Sequence, residues 1–328
     1  MSAERKTIRI ALGNNLWTRA LVDGSVGVED FPVEFNAGAT LTDRLHGVRD
    51  GNWDGSDGTL TDYLLEKEAG IGVGKIALPI FMLGGFRQRT LLMKRGGAAV
   101  KELEGRSVLL PRVLTPGAVY VRGLLADEFG IRREAVRWHT IHGAEEDVAW
   151  KWLQGRLNKP EGFEAVVAAA EMVSRGEFDA MVHPGGHGFF SLFGGDQMIG
   201  GTLKRFPDLC EPLGDAERIA AWFKKTGIYP VVHGLQLRAD CLETNRGLGD
   251  ALIDAFRRAW AVSEARLDSR QRELIEGERS LLGFDPYRYE LGPVQRRTIE
   301  KLMDYLQADG LLRRRFTIKE LFPLESAR

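Results

Sequence analysis

The sequence predicts an α/β protein in two lobes, with a ligand cleft between them and a helical C-terminal tail. Three observations carry that reading. Apolar strand-like stretches alternate with amphipathic ones, the pattern of mostly parallel sheets covered by helices. At 328 residues the chain exceeds the size at which one hydrophobic core keeps growing. A short strand, a polar turn and a threonine opening a helix recur three times: Ile8–Leu12 leading to Thr18, Trp53–Asp57 to Thr59, and Ser107–Pro111 to Thr115. A threonine hydroxyl accepts a hydrogen bond from an N–H that the first helical turn leaves unpaired. Pro116 suits the first helical position, and Asp62, three residues after Thr59, resembles a capping-box partner. Such turns gather at the carboxyl ends of strands in open α/β sheets, and several helix N-termini meeting there favour an anion.

In chain order, strands are expected near 7–12 and 32–36, with helices near 18–23 and 40–50. A strand at 53–57 leads into a helix at 59–69, and Ile76–Phe81 and Thr90–Met93 read as further strands. Gly70, Gly72 and Gly74 lack the spacing of a phosphate-binding loop and follow a helix, so they read as a C-cap and turn. Gly96-Gly97 breaks the pattern and marks a crossing between lobes. The second lobe continues with Leu103–Leu110, a helix from Pro116 to Phe129, a strand at Val136–His139, a helix near 163–175 and a strand ending at Val182. Asp54 and Asp179 each close a Gly-x-(Phe/Trp)-Asp stretch, an internal echo between lobes. A strand at 231–238 then precedes helices near 246–265, 269–280, 292–309 and 317–321. Residues 1–97 and 232–328 are therefore expected to form one lobe, and 98–231 an inserted second.

Composition excludes several classes of function. The chain is 44% apolar and 28% charged with a net charge of −1, and Arg313-Arg314-Arg315 is its nearest approach to a basic run, so no nucleic acid partner is expected. Cys210 and Cys241 supply neither metal-ligand spacing nor a disulfide framework. No apolar run approaches the roughly 18 residues of a membrane span, and Met1–Lys6 runs into a strand without an apolar leader. A cytoplasmic protein with no membrane partner is expected, and homo-oligomerisation is left open. No Gly-x-Ser-x-Gly elbow points to a hydrolase triad.

Five phrases occur in a telling order: Thr18-Arg19-Ala20-Leu21-Val22-Asp23-Gly24, Ile76–Phe81, Val121–Gly130, Thr226-Gly227-Ile228-Tyr229-Pro230-Val231-Val232-His233 and Phe316–Phe322. Together they resemble the 4,5-dihydroxyphthalate decarboxylase family over nearly the whole chain. The resemblance implies the two-lobed fold of type II periplasmic solute-binding proteins. It also implies a carboxy-lyase of aromatic compound catabolism, working without cofactor or metal on a hydroxylated aromatic carboxylic acid such as 4,5-dihydroxyphthalate or a relative. Gly13-Asn14-Asn15-Leu16-Trp17 and Val182–Gly188 depart from the family pattern, so the fold transfers better than the substrate.

Several residues could carry such chemistry. Arg19 opens a helix whose positive end disfavours a cation, which suggests a nearby anion: a substrate carboxylate, or a salt bridge to Asp23 or Asp57. Asn14, in the turn before it, is a second substrate-binding candidate. Strand alternation would point one of Arg87 and Arg89 inward, and the resemblance selects Arg87. The helix starts at Thr59 and Thr115 would also hold carboxylates. His183 and His187 flank Pro184-Gly185-Gly186 directly after a strand, where glycine admits close approach and histidine titrates near neutral pH. With Asp57 they are the candidates for proton transfer. His139 and His142 lack a third ligand, so no metal is expected. His233 either contacts ligand or locks the return crossing. In the enzymatic reading, a ring hydroxyl para to the carboxylate pushes electrons toward the carbon that loses carbon dioxide. The alternative is a solute-binding protein or ligand sensor for an aromatic or sulfonated acid.

Overall fold

The computed structural model describes residues 6–71, 74–140, 153–156, 163–185 and 197–324. The chain divides into two compact units, one of residues 1–84, 231–297 and 314–328, the other of 85–230 and 298–313. The first unit opens with β1 (Ile8–Ala11), α1 (Arg19–Val22), β2 (Val33–Asn36), α2 (Leu41–His46), β3 (Gly55–Thr59), α3 (Leu60–Ala69) and β4 (Lys75–Gly84). The second contains β5 (Leu91–Lys94), β6 (Ser107–Leu110), α4 (Pro116–Phe129), β7 (Arg137–Thr140), β8 (Leu153–Arg156), α5 (Phe163–Ser174), β9 (Ala180–Val182), α6 (Gln197–Arg205), β10 (Leu209–Cys210) and α7 (Ala216–Thr226). The chain then returns through β11 (Val231–Arg238), α8 (Ala239–Thr244), α9 (Leu248–Ala265), α10 (Ser269–Leu282), α11 (Pro293–Ala308) and α12 (Ile318–Leu321).

The first unit holds a five-stranded sheet in the order β2-β1-β3-β11-β4. β1 pairs in parallel with β2 and β3, while β11 runs antiparallel between β3 and β4. The second unit holds a six-stranded sheet in the order β10-β5-β9-β6-β7-β8, parallel around β6 and antiparallel at β5. α5 and α6 bury Val166, Ala170 and Ile199 against Leu92, Leu109 and Met181 of that sheet. Among the described residues no helix is long and apolar enough to cross a membrane.

The echo between Asp54 and Asp179 is a matched clip. Asp54 donates its N–H to the Arg9 carbonyl and accepts the Arg9 N–H on Oδ2, both at 2.9 Å. Asp179 does the same with Ser107, again at 2.9 Å in both directions. Each aspartate therefore completes the ladder at the start of a neighbouring strand, where an unpaired N–H would be costly.

Two boundaries differ from expectation. The unit break falls between Gly84 and Gly85, whereas Gly96-Gly97 forms a turn after β5 with Gly96 at φ +68°. A glycine pair signals a left-handed turn as readily as a crossing. Residues 298–313, expected in the first lobe, belong to the second unit. The Val121–Gly130 phrase explains this: Arg122 holds Asp309 at 2.6 Å, and Asp127 accepts from Tyr305 Oη and Lys301 Nζ, each at 2.8 Å. Gly123 admits the Tyr305 ring, which would lie 2.3 Å from a Cβ there. The Phe316–Phe322 phrase docks in the first unit instead, with Thr317 and Glu320 forming a capping box and Tyr63 Oη donating to the Leu321 carbonyl at 2.7 Å.

Candidate active site

β3 is a polar strand, Gly-Ser-Asp-Gly-Thr, yet every residue in it is buried. β11 pairs with it along its whole length and β1 pairs with Gly55 and Ser56, which satisfies much of its backbone. Asp57 is 2% exposed, and two partners divide its carboxylate. Oδ2 accepts from Arg44 Nη1 at 2.9 Å, and Oδ1 faces His233 Nδ1 at 2.6 Å. In the β3–β11 register His233 is opposite Thr59 and Leu235 is opposite Asp57, so aspartate and histidine are diagonal neighbours on one sheet face. Arg44 arrives from α2, whose start is set by a capping box between Thr40 and Asp43. Gly13 closes the cluster: a Cβ there would lie 2.9 Å from Arg44 Nη1 and 3.4 Å from Asp57 Oδ2.

Burial by itself pushes the Asp57 carboxyl up. The His233 ring and its hydrogen bond, then Arg44 and a backbone hydrogen bond from Gly13, outweigh burial and hold it below the usual carboxylate value. An ionised aspartate fixes Nδ1–H of His233 as its donor, which leaves Nε2 as the exchangeable nitrogen. Nε2 has no partner among the described residues. Parallel β1 and β3 end here, the sheet end at which open α/β folds bind ligands.

The other candidates have different roles. Thr18 is buried and makes no side-chain cap; its hydroxyl donates to the Gly13 carbonyl at 2.5 Å and accepts the Asn15 N–H at 2.9 Å, pinning the loop beside Asp57. Asn14 and Arg19 are exposed in and after that loop. Arg19 has no carboxylate within 4.0 Å among the described residues, since Arg44 holds Asp57 and Arg266 is the cation at Asp23. Thr59 does cap α3, accepting the Asp62 N–H at 3.1 Å and donating to Asp62 Oδ2 at 2.6 Å, so its hydroxyl is spent on the helix. Gly70, at φ +62°, is the left-handed C-cap of that helix.

Arg87, Thr115 and His183 lie in the second unit. Arg87 and Arg89 occupy a 3-10 turn and not a strand, so alternation does not apply to them. Arg89 grips Glu211 with two nitrogens, at 3.1 and 2.8 Å. Arg87 is buried, its Cδ 3.8 Å from where a Cβ of Gly117 would stand in the first turn of α4. Thr115 makes no side-chain cap and donates to the Arg112 carbonyl at 3.0 Å. His183 is the proton-transfer candidate that lies in this unit. It is fully buried, its Nδ1 accepts the Gly185 N–H at 3.0 Å, and Nε2 meets Thr202 Oγ1 at 3.1 Å. Both nitrogens are thus committed to holding the turn. His187 and His142 lie outside the described residues. Arg44 is the site residue that sequence reasoning missed; the Thr40-x-x-Asp43 cap set its helix, but nothing local aimed it at Asp57.

No protein-family model matches the chain. A curated protein of Comamonas testosteroni named 4,5-dihydroxyphthalate decarboxylase is 24% identical to it over 332 residues, which cover 96% of each chain. The chain is a homologue of the 4,5-dihydroxyphthalate decarboxylases. Among solved structures, the periplasmic aliphatic sulphonate binding protein of Escherichia coli aligns with a TM-score of 0.57 at 10% identity, covering 97% of this chain and 98% of its own. The desulfurization enzyme DSZB aligns with a TM-score of 0.52 at 14% identity, covering 99% and 100%. The homologue therefore has the two-lobed α/β fold of solute-binding proteins, a fold that also serves a named enzyme.

Proposed function

We propose that the chain is a cofactor-independent decarboxylase of a hydroxylated aromatic carboxylic acid, 4,5-dihydroxyphthalate or a close relative. The observation that carries the proposal is the buried Asp57–His233 pair at 2.6 Å, with Nε2 of the histidine left for substrate. His233 here takes the proton-transfer role, with Asp57 as the positioning residue that orients the ring and stabilises its charged form. Protonated His233 delivers a proton from Nε2 to the ring carbon bearing the carboxylate. The para hydroxyl supplies electron density as the new C–H bond forms. The C–C bond to the carboxylate then breaks, its electron pair restores the aromatic ring, and carbon dioxide leaves. The net change is one proton gained and one carboxylate lost, with no redox step. Arg19, exposed at the start of α1 without a carboxylate partner among the described residues, is the substrate-carboxylate ligand in this reading. A cytoplasmic location belongs to the same proposal.

The test is to incubate the protein with 4,5-dihydroxyphthalate and related hydroxylated benzoates in D2O and measure carbon dioxide. Release of the gas, with deuterium on the carbon that carried it, is expected. The sulphonate-binding neighbours favour a second reading, a receptor or sensor for an aromatic or sulfonated acid. Saturable binding of these acids without gas release would select it.

A further inference from the structure

We propose that Arg44 is a positioning residue that sets the pH range in which His233 releases its proton. It does so by offsetting the charge of Asp57 while leaving the aspartate's hydrogen bond to the ring in place. The inference rests on the decarboxylase reading and deepens it, since it concerns the control of the same proton carrier. An aspartate beside a histidine does two things: its oxygen orients the ring, and its negative charge holds the ring's proton. A group that must hand a proton to carbon near neutral pH needs the first and is hindered by an excess of the second.

The geometry separates the two effects. Asp57 Oδ1 faces His233 Nδ1 at 2.6 Å, and its other oxygen, Oδ2, accepts from Arg44 Nη1 at 2.9 Å. Side-chain exposure is 3% for Asp57, 7% for Arg44 and 14% for His233, so solvent screens these charges weakly. Arg44 is a permanent cation, and it enters from α2 and not from either strand. The Gly13 loop brings a backbone N–H to the carboxylate, and β4 pairs uncharged Leu83 with His233. Asp62, at the start of α3, accepts the Thr59 hydroxyl at 2.6 Å. Arg44 therefore cancels much of the negative charge that the ring would otherwise face, and the ring keeps its oxygen.

An NMR titration of the His233 ring in the full-length, unliganded protein tests this, with the resonance assigned by its loss in His233→Asn. Arg44→Gln and Arg44→Met remove the charge, the first keeping a donor for Asp57, and Arg44→Lys keeps the charge. In the neutral variants the midpoint should rise by about one pH unit relative to the parent, the low end of what a nearby charge does. Arg44→Lys should stay close to the parent. A midpoint unmoved in the neutral variants, or raised equally in Arg44→Lys, overturns the proposal. Failure of both neutral variants to fold overturns it too, by making Arg44 a brace for α2. Carbon dioxide release from 4,5-dihydroxyphthalate is then followed against pH. The alkaline limb of kcat should move up with the midpoint while KM changes less, and a limb that stays in place overturns the proposal. A midpoint that moves as expected, with no gas from the parent protein, would sink the decarboxylase reading and leave Arg44 in control of the ring's proton.

Discussion

Each unit of this chain buries an aspartate against an arginine, and the two pairs differ in what completes them. In the second unit, Asp309 is shared by Arg122 at 2.6 Å and Arg133 at 3.0 Å, so two guanidinium groups hold one carboxylate. In the first, Asp57 is shared by Arg44 and His233. A guanidinium offers donors only, whereas a neutral imidazole presents one donor and one acceptor nitrogen. The same buried charge therefore meets two guanidinium groups in one unit, and a guanidinium and an imidazole in the other. A buried ion pair is by itself weak grounds for function. The identity of its second partner separates the two cases.

The sharpest way to break this comparison is to remove the histidine. His233→Asn should lower turnover by about 10²–10⁴-fold, the usual range for a general acid–base group, while changing substrate affinity much less. His183→Asn, altering a histidine with both nitrogens committed, should keep turnover close to the parent. Equal kinetic losses in the two variants would erase the distinction drawn between them.

Asp309→Ala should act through stability. It removes the carboxylate that the buried Arg122 shares with Arg133; breaking such a buried pair costs about 3–5 kcal/mol and shows in denaturant unfolding. A variant as stable as the parent would show that Arg122 finds compensation elsewhere. Next in size, Arg19→Ala should weaken the best carboxylate ligand by about tenfold or more, since a charged hydrogen bond contributes about 1.5–3 kcal/mol. Unchanged affinity in an equilibrium titration would remove Arg19 from the site.

The smallest effect is a pH profile. Asp57 titrates below its ordinary 3.8 in the folded chain. The stabilisation from its ionised form is fully present above that unfolded value and is lost as pH falls through the lower folded one. Melting temperatures of the parent and of Asp57→Asn should therefore differ most near neutral pH and converge below 3.8. A gap that stays constant into acid would show that the carboxylate gains nothing from its partners.

Much of the element order was legible because its signals are local. Strand and helix periodicity located β1, β3, α3, α4 and β11 to within a few residues, and Pro116 and Gly70 marked a helix start and a helix end. The same local signals misled where one residue type serves two structures. Thr18 and Thr115 spend their hydroxyls on neighbouring carbonyls, although threonine before a helix reads as a cap. Gly96-Gly97 reads as a crossing and forms a turn. Strands β8 and β10 and helices α6, α7 and α8 were not foreseen. α7 shows a clear amphipathic pattern, but β10 is only two residues long and offers no period to read.

What the sequence determined by itself is the alternation of strands and helices, because periodicity and capping are properties of neighbours along the chain. Only the tertiary structure decided what surrounds each histidine. His183 stands beside the glycines that recommended it, yet its ring is consumed by Gly185 and Thr202. His233 is 176 residues from Asp57, and nothing along the chain connects them. They meet because β11 enters the first sheet antiparallel beside β3, and that pairing sets a histidine diagonally across from a buried carboxylate. Proton transfer depends on distance and orientation between side chains, and only the closed sheet supplies them.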